Sequence, residues 1–155
     1  MRAAIERKLE WFGASLTGLR VVAPGVDQIV AAFQTVLRAG NDIVLVAGGN
    51  PIDPLDPVEQ ALASVGAQLA YRGAPMRGSM GWLAYAGAVP ILNLVASRMY
   101  RGTSMADVLL PMLMADQPVT AEEVGELGYG GFPGSAIAFR VPPYQTEPAR
   151  SAATP

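Results

Sequence analysis

A run of four consecutive apolar residues at 43–46 constrains the fold of this 155-residue chain more than any other segment. Such a run, rich in β-branched side chains, is typical of a strand that is buried on both faces of a parallel sheet. Gly48 and Gly49 follow it, and Asp53 and Asp56 come before a proline that starts a helix. Because ligands bind at the carboxyl ends of strands in open α/β sheets, we expect the functional site at this loop.

Composition excludes several classes of chemistry. Hydrophobic residues make up 51% of the chain and the net charge is −2, which argues against nucleic acid or an anionic membrane as a partner. There is no cysteine and no histidine, so disulfides, thiol nucleophiles and the usual general base are missing. A metal held by side chains would need oxygen ligands, as Mg²⁺ does. Without a signal peptide or a membrane-spanning run, the pattern predicts a cytoplasmic protein.

The order of helical and strand patterns predicts an α/β domain. Apolar spacing and end signals predict, in chain order, a helix at 2–12, a strand at 19–22, a helix at 27–38, a strand at 43–46, a helix from Asp56 to Gly66, strands at 69–72, 80–86 and 89–94, a helix at 104–114 and a last helix from Thr120 to about 128. This alternation favours a three-layer αβα sandwich with a mostly parallel sheet. We expect one domain over 1–131, then a tail at 132–155 with an edge strand at 136–141 and disorder beyond it.

Residues 9–131 resemble the molybdopterin-binding domain of the MogA, MoeA and gephyrin group of molybdenum-cofactor biosynthesis proteins. Gly48, Gly49 and Asp56 match the spacing of the family's first loop, and 73–79 is similar to its second loop. Residues 107–131, with their terminal Gly-Tyr-Gly-Gly, resemble more specifically a subgroup of standalone molybdopterin-binding proteins. The resemblance implies that fold, apparently without its usual first strand, which would lie before Met1.

The resemblance also implies a function. We expect the chain to bind molybdopterin, or its nucleotide form, in the biosynthesis or delivery of the molybdenum cofactor. If the chain is an enzyme, the reaction would be molybdopterin nucleotidyl transfer or molybdate insertion with Mg²⁺, and Asp53 and Asp56 would be the catalytic and metal-binding pair. Members of the family are commonly dimers or trimers, so a homo-oligomer and other molybdenum-cofactor proteins are the expected partners.

The candidate cofactor-binding residues belong to three loops. They are Gly48, Gly49, Asn50, Arg77, Gly78, Ser79 and Ser97. Arg77 has the fork of donors that clamps a phosphate, and Ser97 directly follows a strand pattern, the level at which ligands bind. Asp56 also fits a helix N-cap and Asp53 fits an Asx turn, and both structural roles are compatible with ligand binding.

Two other interpretations stay open. A non-catalytic assembly module that keeps the fold and has lost the full site is favoured by the missing strand and by Pro24 and Gly25, which stand where catalytic family members have an acidic pair. A generic nucleotide-binding α/β domain would show a nucleotide preference without binding a pterin. An enzyme of the pathway should bind its pterin and turn over nucleotide with Mg²⁺, whereas an assembly module should only self-associate.

Overall fold

A computed structural model describes residues 1–50, 52–76, 79–94 and 104–127 of the chain. Its elements, in chain order, are α1 (Arg2–Trp11), α2 (Val26–Arg38), β1 (Val44–Ala47), α3 (Pro57–Ser64), β2 (Gln68–Met76), β3 (Ser79–Ala86), β4 (Val89–Leu94), α4 (Met105–Met114) and α5 (Ala121–Leu127). The chain is therefore of mixed α/β class, as predicted. The expected edge strand at 136–141 and the tail at 132–155 lie outside the described residues.

The helix ends follow the capping signals in the sequence. The Asp56 side chain accepts a hydrogen bond from the backbone N–H of Val58 and so caps α3, with Pro57 as the first helical residue. At α5, the Thr120 hydroxyl accepts from the backbone N–H of Glu123, and the Glu123 carboxylate accepts from the N–H of Thr120. This reciprocal pair is the capping box that the sequence predicts.

The four described strands form one sheet in the order β1-β4-β3-β2. Only β1 and β4 are parallel, while β4 with β3 and β3 with β2 are antiparallel. The prediction of a mostly parallel sheet is therefore wrong. The physical reason is the length of the connections: two residues separate β3 from β4, as two separate β2 from β3, whereas a parallel crossover needs a dozen or more.

Two apolar clusters lie on opposite faces of the sheet, because successive strand residues point to opposite sides. Leu83 pairs with Leu92, and both join a cluster with residues of α1, α4 and α5. Ala84 pairs with Ile91, and both join a cluster with residues of α2 and α3. Helices thus cover the sheet from both sides, and the three-layer molybdopterin-binding fold stays a prediction.

Two further expectations concern strands. Residues 19–22, predicted as a strand, have no regular structure, and Val21 is 95% exposed. In the described part of the chain no strand pairs with these residues. Their local preference for extended backbone therefore does not produce a strand. A sheet that lacked its first strand would also be expected to have a gap, but the four described strands are hydrogen-bonded in unbroken order.

Tyr71 on β2 makes the fold sensitive to alkaline pH. Burial raises the pKa of this phenol above its ordinary value of 10.0. The unfolded phenol therefore ionises first, so its contribution to stability is complete below that value and is lost as the pH rises through the folded-state pKa. We expect Tyr71→Phe to lose less stability than the parent when urea unfolding is repeated from about pH 9 to pH 11. Equal losses in both proteins would contradict this.

Candidate functional site

The candidate site lies at one edge of the sheet, where β1 and β4 both end. Because the two strands are parallel and Ala47 pairs with Leu94, their carboxyl ends meet at the same edge. Gly48 to Asp56 form the loop that leads from β1 into α3. This is the position at which ligands bind in α/β sheets. The first loop of the predicted site is therefore where the sequence places it, whatever the direction of the other strands.

Asp56 holds the two ends of this loop together. One carboxylate oxygen accepts a hydrogen bond from the N–H of Asn50 at 2.6 Å, and the other accepts from the N–H of Val58 at 2.8 Å. The residue is 9% exposed. Because both oxygens are engaged by backbone donors and shielded from water, the geometry gives Asp56 a structural role, as the N-cap interpretation predicts.

Asp53 lies on the outside of the same loop. Its side chain is exposed and accepts from the N–H of Leu55 at 2.9 Å, which is an Asx turn. Its carbonyl oxygen accepts from the N–H of Asp56 at 3.1 Å. The described residues contain no group of three or more acidic side chains suited to a metal, and each Asp56 oxygen already accepts one backbone hydrogen bond. The Mg²⁺ and catalytic roles of this pair stay predictions.

Gly48 and Gly49 present backbone to solvent at the end of β1. Both are exposed and both have positive φ, +144° and +81°. Within the described residues, neither N–H donates a hydrogen bond. The carbonyl of Gly48 is fixed from below, because the buried side chain of Asn93 on β4 donates to it at 2.6 Å. Among the described residues, the loop therefore combines a Gly48 carbonyl that Asn93 holds in place with two glycine N–H groups that have no acceptor.

A small cleft adjoins this loop. It is lined by Asn50, Asp56, Glu59, Leu62, Leu69, Arg72 and Trp82. The Arg72 guanidinium donates to both carboxylate oxygens of Glu59 at 2.8 Å, which links β2 to α3 across the cleft. The pair is about two-fifths exposed on each side, so it positions the wall of the cleft and contributes little to stability.

The other predicted site residues cannot be placed against this loop. Arg77, Gly78 and Ser97 lie outside the described residues, as does the side chain of Ser79, the first residue of β3. Asn50 is in the first loop as predicted, with its N–H on Asp56 and its side-chain oxygen accepting from the N–H of Ile52 at 3.2 Å. Of the predicted set, the structure thus brings together Gly48, Gly49, Asn50, Asp53 and Asp56.

Sequence reasoning missed a second polar cluster, on the opposite face of the sheet. Lys8 of α1 forms an ion pair with Asp107 of α4 at the wall of a small, partly open apolar pocket. The Asp107 carboxylate also accepts from the N–H and the hydroxyl of Ser104, each at 2.8 Å. Ser104 and Asp107 have the spacing of a capping box, a signal that could have located the aspartate. Nothing local could have located Lys8, which lies 99 residues away.

Gly49 allows a direct test of how closely the loop packs. A Cβ at this position would lie 3.3 Å from Nε1 of Trp82 and 3.4 Å from Cβ of Val58, whereas one at Gly87, which also has positive φ, would meet nothing within 4 Å. Both alanine variants carry the strain of a left-handed residue, about 1–2 kcal/mol. We expect Gly49→Ala to cost about 1 kcal/mol more than Gly87→Ala in urea unfolding, through overpacking. Equal costs would mean that Trp82 and Val58 move aside freely.

No family model, curated protein or solved structure matches this chain. In the described part of the chain, no helix is both long enough and apolar enough to cross a membrane. The molybdopterin-related resemblance, together with the function that it implies, therefore remains a prediction from the residues themselves.

Proposed function

We propose that this chain binds molybdopterin, or its nucleotide form, at the loop from Gly48 to Asp56, in the biosynthesis or delivery of the molybdenum cofactor. One observation carries the proposal: the exposed N–H groups of Gly48 and Gly49 have no hydrogen-bond acceptor among the described residues, at the edge where two parallel strands end. Backbone donors in this position suit the phosphate of such a ligand.

The surroundings of the loop support binding more strongly than catalysis. Asn93 fixes the Gly48 carbonyl from below and Asp56 closes the loop from the side, so the two glycine donors are held in place before a ligand arrives. Such preorganisation reduces the cost of ordering the site on binding. The N–H of Val58 at the start of α3 is already taken by Asp56. Within the described residues, the N–H groups of Gly48 and Gly49 have no hydrogen-bond acceptor.

The test is anaerobic calorimetric titration with molybdopterin of the parent, Gly48→Ala and Gly87→Ala. Gly87→Ala is the control, because Gly87 also has positive φ, +61° against +144° at Gly48, and open space at the Cβ position, and it lies in the β3–β4 turn at the other end of β4. Gly48→Ala keeps its N–H, but alanine does not hold φ +144° without strain, so we expect the donor to be displaced and binding to be about tenfold weaker, and Gly87→Ala to bind as the parent does. No binding by the folded parent would refute the proposal.

The second candidate is a non-catalytic assembly module. It is favoured by the burial of Asp56 and by the engagement of both its oxygens with backbone donors, which give this carboxylate a structural role. This candidate predicts that the chain self-associates in sedimentation experiments, and that it neither binds molybdopterin nor turns over nucleotide with Mg²⁺. Turnover by the parent would exclude it.

A further inference from the structure

Asn93 on β4 is a polar side chain within the core, beside the candidate site. It is 3% exposed, and its neighbours in the strand, Leu92 and Leu94, belong to the apolar core. Burying a side-chain amide costs free energy unless its polar atoms are hydrogen-bonded. The nitrogen of this amide meets that need, because it donates to the carbonyl oxygens of Gly48 at 2.6 Å and of Val46 at 3.4 Å. The side chain therefore ties β4 to the end of β1.

The surroundings of Asn93 fix which way its amide faces. On the β3 side, a Cβ on Gly81 would lie 3.3 Å from Oδ1 of Asn93 and 2.7 Å from Cε of Met105, so the space beside the amide oxygen is already filled. Reversing the amide would place Oδ1 against the carbonyl oxygens of Gly48 and Val46, where an acceptor would face acceptors. The donor side of the amide is therefore directed at β1.

The hydrogen bond to Gly48 also sets the direction of a second group. The carbonyl of Gly48 and the N–H of Gly49 belong to one peptide unit, which is trans. Because a trans peptide is planar, its C=O and its N–H point in opposite directions. With the carbonyl directed at the buried Asn93, the N–H of Gly49 points away from it. Gly49 is exposed, and this N–H has no acceptor among the described residues.

Without such a hydrogen bond, the peptide between Gly48 and Gly49 could turn over at little cost. Glycine adopts positive and negative φ about equally readily, and both residues of the unit are glycines at positive φ. In the reversed orientation the Gly48 carbonyl oxygen would point outward, and an outward acceptor suits a cation, whereas an outward donor suits an anion. The orientation of this peptide therefore decides the charge of the ligand that the loop can bind.

We infer that Asn93 is a positioning residue that makes the loop specific for an anion, because its side-chain amide holds the Gly48–Gly49 peptide with the N–H outward. The inference rests on the proposed function, in which the anion is the phosphate of molybdopterin. Asn93 acts through the peptide and needs no contact with the ligand.

The first experiment measures the direction of the Gly49 N–H bond without a ligand. The residual dipolar coupling of that bond in a weakly aligned, ¹⁵N-labelled sample depends on its direction. We expect the coupling of the parent to fit an N–H that points away from Asn93. In Asn93→Leu the coupling should change, because the peptide is no longer held, while the couplings of α2 keep their values. An unchanged Gly49 coupling in the folded variant would overturn the inference. Asn93→Ala, measured in parallel, provides the same test if the leucine variant does not fold.

Asn41→Leu is the matched control. Asn41 also donates from Nδ2 to a backbone carbonyl, that of Val36, at 2.7 Å. It precedes β1, at the end of the strand opposite to the glycine loop. Its replacement should leave the Gly49 coupling unchanged. A change as large as that in Asn93→Leu would mean that the peptide responds to any loss of this kind, and would overturn the specific role of Asn93.

The second experiment connects the orientation of the peptide to binding. In anaerobic calorimetric titration with molybdopterin, we expect Asn93→Leu to bind about tenfold more weakly than the parent, and Asn41→Leu to bind as the parent does. Equal affinity of the parent and Asn93→Leu would overturn the inference and leave the proposed function standing. If the parent binds no molybdopterin, the proposed function falls, and this inference falls with it.

Discussion

Asp107→Ala is expected to lower the free energy of unfolding by about 3–5 kcal/mol, the cost of breaking a buried ion pair. The carboxylate is 2% exposed, pairs with Lys8 and caps α4 through two bonds from Ser104. Its removal takes this counter-charge away from the Lys8 ammonium, whose side chain is only 16% exposed. Urea unfolding of the parent and the variant at neutral pH measures the loss.

Two controls separate the causes of this loss. Asp27→Ala also removes an aspartate from the first turn of a helix, but at an exposed position, and should cost no more than about 1 kcal/mol. Lys8→Met removes the cation and keeps the cap, so it should cost less than Asp107→Ala. A loss below about 1 kcal/mol for Asp107→Ala would mean that the pair behaves in solution like an exposed one.

Asp56→Ala should have the second largest effect, a loss of about 2–4 kcal/mol. It removes a helix cap and leaves the N–H groups of Asn50 and Val58 without their acceptor. Asp56→Asn keeps one oxygen and should lose about half as much. Asp53→Ala is the matched control, since it removes a carboxylate from the same loop at an exposed position with one bond, to Leu55. It should cost about 0.5 kcal/mol or less.

These stability effects bear on how binding data should be interpreted. If Asp56→Ala loses affinity for molybdopterin, collapse of the loop is a sufficient cause, because the carboxylate joins Asn50 to the start of α3. Equal stability losses in Asp53→Ala and Asp56→Ala would contradict the role of the buried Asp56 carboxylate in joining Asn50 to the start of α3. The proposed ligand contact is better tested at Gly48, where the variant displaces a backbone donor and leaves the two Asp56 hydrogen bonds in place.

The helices and caps could be predicted because their signals are local. Asp56, Pro57 and Glu59 specify the start of α3 within four residues, and the structure confirms it. The signal for the direction of the strands is equally local, but the prediction of a mostly parallel sheet overlooked it. The two-residue connection at Gly87 admits only an antiparallel hairpin. The prediction of a strand at 19–22 was wrong for another reason. A strand also needs a partner strand, and no local pattern in the sequence specifies one.

The candidate site could be predicted only where it is contiguous in sequence. The loop from Gly48 to Asp56 was found because its glycines and aspartates are neighbours. The approach of Trp82 to Gly49, and of Asn93 to the Gly48 carbonyl, joins residues on different strands. The Asn93 side chain reaches across to the end of β1. Such contacts depend on strand order, which composition and spacing do not specify.

The strand order also bears on when the site forms during folding. The hairpins of β2, β3 and β4 join residues close in sequence, whereas β1 meets β4 through residues 47 positions apart, such as Val46 and Asn93. Non-local pairing pays its loop-closure entropy before it gains contacts, so it tends to come late. The glycine loop is therefore completed by the slowest pairing in the sheet. Transient release of the short β1 would abolish binding while the hairpins persist, and the amides of β1 should exchange with deuterium faster than those of β3.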